Sequence, residues 1–405
     1  MKKLFCLILG FVLLFCISGV TETNAVTVSS ECDISDVSVP ITVASENAAI
    51  GATLDISAKS AILLEVNTGK VLYESNADEI LPPASITKIM SLVLIMEAID
   101  KGVFDLETVV TASEHAASMG GSQIWLEENE AMTVDDLLKA TVIASANDAS
   151  VALAEAVAGS EEGFVALMNS KAKSLGMNNT TFKNATGLDA EGHLTTARDV
   201  AVMSSELIKH ELIKNYSTVW MDSLRDGESE LVNTNKLVRF YSGCTGLKTG
   251  TTSGAGYCLS ATAERNGLNL VAVIMGGDSS PARFEGAKKL LDYGFANYKF
   301  SKIDANIGPD FSVKIEKGVE PDVNLVAKKS LNLLTESTNT ETITRKTVIN
   351  KEIEAPVKKG QVLGRVDIYN GKEKVGSIPL TAKRNIKRLN YPYSVGRILM
   401  GLFKL

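Results

Sequence analysis

After an irregular N-terminal stretch, the hydrophobic positions follow first a strand pattern and then a helical one. Residues 61–66 and 70–74 carry strand-type side chains, and Asn67-Thr68-Gly69 between them predicts the turn of a β-hairpin. Pro82-Pro83 then interrupts the chain. Apolar residues recur on several sides of residues 85–99, which predicts a helix that is buried nearly all round.

The chain up to about residue 300 combines further helical and strand patterns. Helices are predicted over 134–144, 149–157, 163–175, 196–208 and 282–298, and short strands over 236–241, 244–250, 256–263 and 268–276. Strands lie towards both ends of this region, and most of the helices lie between them. We therefore expect an α/β (α+β) domain over 45–300, with one sheet assembled from distant segments and flanked by helices.

Beyond this region the pattern changes to alternating Val, Thr and Lys. Strand-like segments cover 311–315, 323–327, 341–348, 362–369 and 374–379. Turn sequences such as Lys358-Lys359-Gly360 and Asn370-Gly371 separate some of them. These features predict a small all-β domain over 301–383.

The first residues have the order of a secretory signal peptide. Lys2 and Lys3 precede an apolar stretch from Leu4 to Val20, and Thr23-Asn24-Ala25 follows as a cleavage site. We expect residues 1–25 to be removed during export and residues 26–44 to form a linker. An uncleaved anchor helix is the alternative, because the stretch is about long enough to span a bilayer.

The last residues are basic and amphipathic. Residues 383–405 contain six Lys and Arg side chains and no acidic one, whereas the whole chain has a net charge of −7. Val395, Ile398, Leu399 and Leu402 recur at helical spacing. Residues 384–405 therefore predict a membrane-surface anchor, which would place an exported protein at the outer face of the cytoplasmic membrane or in the cell wall. A helix packed back on the protein is the alternative.

Composition excludes several functions. The negative net charge argues against bulk binding of nucleic acid, which requires a basic surface. Five Cys and three His are too few and too scattered for a zinc cluster, and no nucleotide-binding or zinc-protease motif occurs, so we expect no metal and no cofactor. Cys244 and Cys258 fit a disulfide in an exported protein and fit two free thiols equally well.

Ser85-Ile86-Thr87-Lys88 opens the predicted helix that follows the proline pair. Residues three apart share one face of a helix, so the Ser85 hydroxyl and the Lys88 amine can meet. The start of a helix opposes an ammonium group, and a buried Lys88 there can lose its proton and act as a base towards Ser85. Taken alone, the tetrapeptide also fits an N-cap serine followed by a surface lysine.

Two further polar clusters lie later in the chain. Ser145-Ala146-Asn147 falls between two predicted helices, and Lys248-Thr249-Gly250 ends a predicted strand. Gly250 permits close approach of a ligand to the strand backbone, while Lys248 can hold a carboxylate and Thr249 can hydrogen-bond it. Taken alone, each cluster also fits a turn, a cap or a strand end.

In this order the three clusters resemble the signature of the low-molecular-mass penicillin-binding proteins, the serine-type D-alanyl-D-alanine carboxypeptidases of bacterial cell walls. The resemblance covers about residues 45–298 and extends to Ala355–Gln361 and to the basic C-terminal segment. It implies a penicillin-binding/β-lactamase-like transpeptidase domain with an antiparallel sheet. It also implies peptidoglycan stem peptides as substrate and β-lactams as inhibitors. Other matching stretches are Asn184–Leu188, Thr195–Asp199, Asn233–Asn235 and Gly246–Gly250.

The resemblance also implies catalytic roles. Ser85 is the acylated nucleophile, and Lys88 is its general base. Ser145 relays a proton to the leaving D-alanine. The backbone amides of Ser85 and Thr251 form the oxyanion hole that stabilises the tetrahedral intermediate.

Binding roles follow from the same resemblance. Asn147 binds the amide of the substrate, and Lys248 and Thr249 hold its terminal carboxylate beside Gly250. Some relatives carry His where this chain has Thr251. This departure leaves the rate and the substrate preference open.

Other functions fit parts of the sequence. A D,D-endopeptidase of cross-linked peptidoglycan uses the same three motifs, and an inactive penicillin-binding scaffold would keep them without turnover. A class A β-lactamase would need Glu-x-x-Leu-Asn, which is absent from residues 148–247. A Ser-His-Asp hydrolase could use His193, but the chain has no Gly-x-Ser-x-Gly, and His193 fits a loop near the rim of the cleft better.

Overall fold

The structure is a computed structural model that describes residues 54–327, 329–337 and 343–391, together with the backbone of residues 37 and 38. The predicted signal peptide 1–25 lies outside the described residues. So does the apolar part of the predicted anchor, from residue 392 onward.

The helices and strands of the described residues have the following bounds. The helices are α1 Lys88–Asp100, α2 Glu114–Ala117, α3 Val134–Lys139, α4 Asn147–Ala158, α5 Glu161–Ser174, α6 Ala197–Leu207, α7 Lys214–Ser217, α8 Leu237–Phe240 and α9 Ser280–Asn297. Short 3₁₀ turns cover Ala84–Thr87, Glu211–Ile213 and Arg225–Gly227, and a π-helical turn covers Ala140–Ala144. The strands are β1 Val37–Ser38, β2 Ala58–Glu65, β3 Val71–Ser75, β4 Val109–Thr111, β5 Ala131–Thr133, β6 Met221–Leu224, β7 Ser229–Val232, β8 Cys244–Thr252, β9 Gly256–Arg265, β10 Leu268–Gly277, β11 Tyr298–Ile303, β12 Ser312–Lys314, β13 Asp322–Ala327, β14 Leu331–Glu336, β15 Ile343–Ile349, β16 Val362–Asn370 and β17 Glu373–Ala382.

The described residues form two compact units. The first contains residues 54–303 and 332–337, and the second contains residues 37–38, 304–327, 329–331 and 343–391. The segment 332–337 belongs to the first unit because β14 pairs with β11 in a two-stranded sheet. None of the helices in these described parts of the chain is both long and apolar enough to cross a bilayer.

The first unit is built on a five-stranded antiparallel sheet with the order β3-β2-β10-β9-β8. The hairpin of β2 and β3 comes from the beginning of the unit, and the other three strands follow almost two hundred residues later. The expectation of one sheet assembled from distant segments is therefore confirmed. Strand β8, which carries Lys248-Thr249-Gly250, lies at an edge.

Both faces of this sheet are covered. Along β2, Ile62 and Leu64 belong to one hydrophobic cluster, while Ala61 and Leu63 belong to another, as the alternation of side chains in a strand requires. The first cluster includes residues of α1, α3, α4, α5 and α6, and the second includes the buried face of α9. Helix α1 is buried at ten of its 13 positions, which confirms the prediction of a helix buried nearly all round.

The predicted strand over 236–241 is wrong, because these residues contain the single-turn helix α8. The Asn235 side chain accepts a hydrogen bond from the Leu237 backbone amide at 3.1 Å, and the Tyr241 amide closes the turn onto the Leu237 carbonyl at 2.8 Å. Such a side-chain acceptor favours the start of a helix over an extended strand. A short apolar run carries no period long enough to separate the two.

The sheet register excludes a disulfide between Cys244 and Cys258. Cys244 pairs with Ala263 and Cys258 pairs with Gly250, so their positions lie five residues apart along β9 (258 to 263). Five residues of a strand span roughly 17 Å, whereas a disulfide needs Cα atoms within about 7 Å. Both cysteines are free thiols.

We expect mass spectrometry of the unreduced, denatured protein to find both thiols alkylated. The neutral thiols are inert in the folded state, because burial raises the pKa of Cys244 to about 11 and also raises the pKa of Cys258. Peptides carrying Cys244 joined to Cys258 would contradict the register.

The second unit is all β, as predicted. Its sheet has six strands in the order β1-β15-β16-β17-β13-β12, with antiparallel pairing throughout. The residues after β17 remain attached to it. Ile386 exchanges backbone hydrogen bonds with Val357, and the Leu389 amide donates to the Lys317 carbonyl at 2.7 Å.

Candidate active site

The Ser-x-x-Lys motif lies where a 3₁₀ turn passes into α1. Ser85 is half-buried in the turn, and Lys88 is the first residue of the helix and is fully buried. Their side chains share one face, and Lys88 Nζ lies 3.2 Å from Ser85 Oγ. The hydroxyl and the amine therefore meet as the spacing predicts, and the alternative of a surface lysine is excluded.

Lys88 Nζ has two more partners, both of which are oxygens that only accept hydrogen bonds. They are Asn147 Oδ1 at 2.5 Å and the Thr186 carbonyl oxygen at 2.9 Å. Burial, with a further contribution from the nearby charge of Lys248, holds the pKa of Lys88 well below its usual value, although Asp148 acts in the opposite direction. These surroundings favour a neutral amine beside Ser85.

The Ser-x-Asn motif follows a distortion of the preceding helix. Helix α3 ends at Lys139, and the chain continues as the π-helical turn Ala140–Ala144 into Ser145, whose backbone is left-handed with φ +65°. Single π turns occur frequently at functional sites. Here the turn ends at Ser145, whose hydroxyl lies 2.7 Å from Lys248 Nζ.

Asn147 connects the motifs to a neighbouring loop. Besides its bond with Lys88, its Nδ2 donates to the Gly120 carbonyl at 2.6 Å, and its backbone amide donates to the Ser122 carbonyl at 2.6 Å. A Cβ atom on Gly121 would lie 2.8 Å from Asn147 Nδ2. The loop around Gly121 thus packs directly on Asn147.

Lys248 and Thr249 project from the edge strand into the same region. Lys248 is 1% exposed and donates to Ser145 Oγ and to the Thr249 carbonyl, the latter at 3.1 Å. Burial, with the neighbouring charge of Arg283, lowers the pKa of Lys248 to about 7. Thr249 Oγ1 lies 2.7 Å from Thr234 Oγ1.

Gly250 brings the strand against the start of the nucleophile's helix. A Cβ atom at this position would lie 3.0 Å from the Ser85 and Ile86 amide nitrogens, so a side chain there would press on the turn that carries Ser85. Thr251 is exposed next to it. Arg283 of α9 holds both residues, donating through Nη1 to the Gly250 carbonyl at 3.1 Å and to Thr251 Oγ1 at 2.9 Å.

His193 contacts the Ser-x-x-Lys motif through the side chain of Thr87. It lies in a loop, as predicted, but it is only 3% exposed, and its Nε2 lies 2.8 Å from Thr87 Oγ1. Nδ1 accepts from the Lys183 amide at 3.3 Å, so Nε2 carries the hydrogen and donates to Thr87. Burial lowers the pKa of His193 to about 4, and the imidazole supports the motif instead of pairing with Ser85.

A pocket of about 410 Å³ opens at the residues that precede Ser85. Its walls come from three segments that are distant in the sequence: Pro82–Ala84, Gly187–Glu191 with His193 and Leu194, and Ser253–Gly254. This volume lies in the range of small-ligand pockets. Among the described residues, no three His, Cys, Asp or Glu side chains converge where they could hold a metal ion.

Sequence analysis did not single out two contributors to this site. The Thr186 carbonyl is a backbone group, and its only sequence signal was the Asn184–Leu188 stretch. Arg283 follows Gly250 by more than thirty residues and carries no motif. The eight predicted site residues, by contrast, are brought together by the contacts of Lys88, Lys248 and Gly250.

A Ser-Lys pair, a Ser-x-Asn turn and a Lys-Thr-Gly edge strand in mutual contact define an active-site-serine enzyme of the penicillin-binding class. Consistent with this, the sequence profile of the D-alanyl-D-alanine carboxypeptidases matches residues 27–279, and that of the C-terminal domain of penicillin-binding protein 5 matches residues 302–388. The chain belongs to the D-alanyl-D-alanine carboxypeptidase family. The predicted family, fold class and enzyme class are confirmed.

Individual relatives agree with this assignment. D-alanyl-D-alanine carboxypeptidase DacF of Bacillus subtilis (strain 168) is 44% identical over 338 residues, which cover 82% of this chain and 87% of that protein. The crystal structure of a peptidoglycan synthesis regulatory factor (PBP3) from Streptococcus pneumoniae has 30% identity and a TM-score of 0.71, covering 82% of this chain and 100% of that one. Penicillin-Binding Protein D2 from Listeria monocytogenes, solved in the ampicillin-bound form, has 33% identity and a TM-score of 0.56, covering 60% of this chain and 100% of that one.

Proposed function

We propose that the chain removes the terminal D-alanine from peptidoglycan stem peptides through an acyl-enzyme on Ser85. The contact that carries this proposal is the one between Ser85 Oγ and the buried amine of Lys88. Ser85 Oγ attacks the carbonyl carbon of the penultimate D-alanine while its proton passes to Lys88 Nζ. The C–N bond of the last peptide then breaks, and water later hydrolyses the ester.

The contacts of Lys88 support its role as general base. A neutral amine has two hydrogens and one lone pair. Asn147 Oδ1 and the Thr186 carbonyl only accept, so they take both hydrogens. The lone pair is then left for Ser85 Oγ, and the serine hydroxyl becomes the donor. The lowered pKa of Lys88 supports this protonation state.

Ser145 and Lys248 serve the leaving group in this proposal. We assign to Ser145 the relay that passes the proton taken up by Lys88 on to the departing amine, and the hydrogen bond from Lys248 holds the Ser145 hydroxyl in place. Lys248 in its charged form and Thr249 bind the terminal carboxylate. Asn147 binds the substrate amide, and the pocket beside Ala84 has room for the stem peptide.

The tetrahedral intermediate needs amide donors close to its oxyanion. We assign this role to the backbone amides of Ser85 and Thr251. Gly250 supports the assignment, because the missing side chain lets the strand approach the Ser85 amide. A β-lactam would acylate Ser85 in the same way, and its opened ring would remain attached because deacylation is slow.

The test is a paired assay on the purified mature protein. D-alanine release is followed with a peptide ending in D-Ala-D-Ala, and covalent labelling is followed with a fluorescent penicillin. We expect both signals. Labelling without release would favour the endopeptidase or an inactive penicillin-binding scaffold, and cross-linked muropeptides would then be tried. A folded protein giving neither signal would overturn the proposal.

The pKa of Lys248 predicts how activity depends on pH. The carboxylate of the substrate binds the ammonium form, so kcat/KM should fall as the pH rises above about 7. In the enzyme–substrate complex the bound carboxylate stabilises the ammonium form of Lys248 and raises its pKa. The value of kcat should therefore stay constant to a higher pH than kcat/KM does. Lys248→Arg keeps its charge and should lose the alkaline fall in kcat/KM. An unchanged alkaline limb in Lys248→Arg would assign the fall to another group.

We also propose export by the signal peptide 1–25 and anchoring by the C-terminal segment. The basic, amphipathic sequence supports attachment to an anionic leaflet. Residues 386–389 form backbone hydrogen bonds within the all-β unit, so their removal could disturb its fold. A truncation that tests the anchor should therefore begin after Tyr391.

We expect the mature chain lacking residues 392–405 to remain in the soluble fraction with full carboxypeptidase activity. The mature chain that keeps these residues should sediment with membranes. The measurement is activity in the two fractions after centrifugation, with the signal peptide removed from both proteins. A truncated chain that still sediments with membranes would contradict the anchor.

A further inference from the structure

The turn Asn184–Leu188 supplies one of the two acceptors that orient Lys88, although it belongs to none of the three motifs. Its contribution is the Thr186 carbonyl, 2.9 Å from Lys88 Nζ. Asn147 supplies the other acceptor. If the Thr186 carbonyl turned away, one hydrogen of the neutral amine would lose its partner, and the lone pair would no longer be directed at Ser85.

The Asn184 side chain determines where that carbonyl points. Its Oδ1 accepts from the Gly187 amide at 2.7 Å and from the Thr186 amide at 3.2 Å, and its Nδ2 donates to the Leu188 carbonyl at 2.9 Å. The peptide between Thr186 and Gly187 is trans. The N–H and C=O of a trans peptide point in opposite directions, so holding the Gly187 N–H towards Asn184 directs the Thr186 C=O away from it, towards Lys88.

The turn is also fixed against the helix that carries the nucleophile. Ser91 of α1 donates to the Ala185 carbonyl at 2.7 Å. Gly187 has φ +88°, and a Cβ atom there would lie 1.8 Å from the Ala84 carbonyl oxygen, so only glycine fits. With both sides of the turn held, the direction of the Thr186 peptide plane depends on Asn184.

We propose that Asn184 is a positioning residue for catalysis: through the peptide of Thr186 and Gly187 it orients Lys88 so that its lone pair faces Ser85. This inference rests on the proposed function of Lys88 as the base. The hydrogen bonds of the Asn184 side chain go to Thr186, Gly187 and Leu188 and not to Ser85 or Lys88, so it acts through the carbonyl.

The experiment measures acylation by a fluorescent penicillin under stopped-flow conditions, separating the dissociation constant of the first complex from the acylation rate constant. Asn184→Ala should lower the rate constant about 10- to 100-fold, the loss expected when a reacting group is misplaced by about 1 Å. The dissociation constant should change less than about threefold. Asn184→Asp keeps the oxygen that accepts from the amides of Thr186 and Gly187. Measured at the pH where this variant is most active, its acylation rate constant should be close to that of the wild type.

Asn169→Ala is the matched control. Asn169 braces the start of the same loop by accepting from the Phe182 amide and donating to the Phe182 carbonyl, but it does not touch the peptide of Thr186 and Gly187. Acylation slowed equally by Asn169→Ala would show general loosening of the loop and overturn the proposal. So would an unchanged rate in Asn184→Ala.

Two further readouts keep the result interpretable. If Asn184→Ala does not fold, as judged by its melting curve, Asn184→Gln replaces it, because the longer side chain moves the amide away from both peptides; the same loss of rate is expected. Wild-type protein is measured alongside. A folded wild type that is not acylated would refute the proposed function, whereas normal acylation of wild type and Asn184→Ala would refute only the role of Asn184.

Discussion

Ser85→Ala should abolish both D-alanine release and penicillin labelling, with a loss of at least about 10⁴-fold in kcat/KM. Ser85 Oγ is the hydroxyl that lies beside the buried amine of Lys88, and alanine leaves no atom that could form the ester. Ser145, the serine of the second motif, is hydrogen-bonded to Lys248 and cannot replace Ser85 as the nucleophile. The measurements are the paired assay and a mass increase of one penicillin on wild type only.

Loss of the Ser85 hydroxyl should leave the fold intact. The side chain is half-buried and a single hydrogen bond is removed, which typically changes stability by about 1 kcal/mol. The melting temperature of Ser85→Ala therefore serves as the control for folding. Full labelling of a folded Ser85→Ala protein would assign the nucleophile elsewhere in the chain.

Lys88→Arg should lose acylation by about 10³-fold at every pH, even though the positive charge remains. A guanidinium does not release its proton in proteins, so it cannot accept one from Ser85. Lysine at this position can release its proton, because burial and the charge of Lys248 hold its pKa well below the usual value. Wild-type acylation should accordingly decline as the pH falls through that lowered pKa and the amine becomes protonated.

Lys248→Arg is the matched comparison for this prediction. Both lysines are buried, so both substitutions place a larger cation in a closed site. Lys248 is proposed to act through its charge, whereas Lys88 is proposed to act through its lone pair. Measurable acylation by Lys248→Arg and none by Lys88→Arg is the expected result; the reverse order would exchange the two roles.

The sequence predicted those parts of the site that depend on residue type and spacing. Ser85 and Lys88 meet because a separation of three residues places them on one helical face, and the edge strand brings Lys248 to Ser145 of the second motif. The buried helix α1 and the β2–β3 hairpin followed from hydrophobic patterns and from a turn that requires glycine.

The parts that could not be predicted depend on the backbone or on distant contacts. The π-helical turn before Ser145 has no characteristic amino-acid sequence. The hydrophobic pattern of residues 134–144 therefore does not distinguish it from an α-helix. The acceptor at Thr186 is a backbone carbonyl, which every residue type has, so its role leaves no signal in the residue type. The register between β8 and β9, which separates Cys244 from Cys258, appears only once the sheet is formed.

The strand order of the catalytic sheet has a consequence for how the protein is made. Strand β2 pairs on one side with its hairpin partner, and on the other side with β10, which is synthesised about two hundred residues later. Pairings of such long sequence separation form slowly and late. The catalytic sheet, whose edge strand carries Lys248, is therefore incomplete on a chain that ends before β10. Catalytic activity should therefore appear only when the chain has been extended past residue 277, where β10 ends.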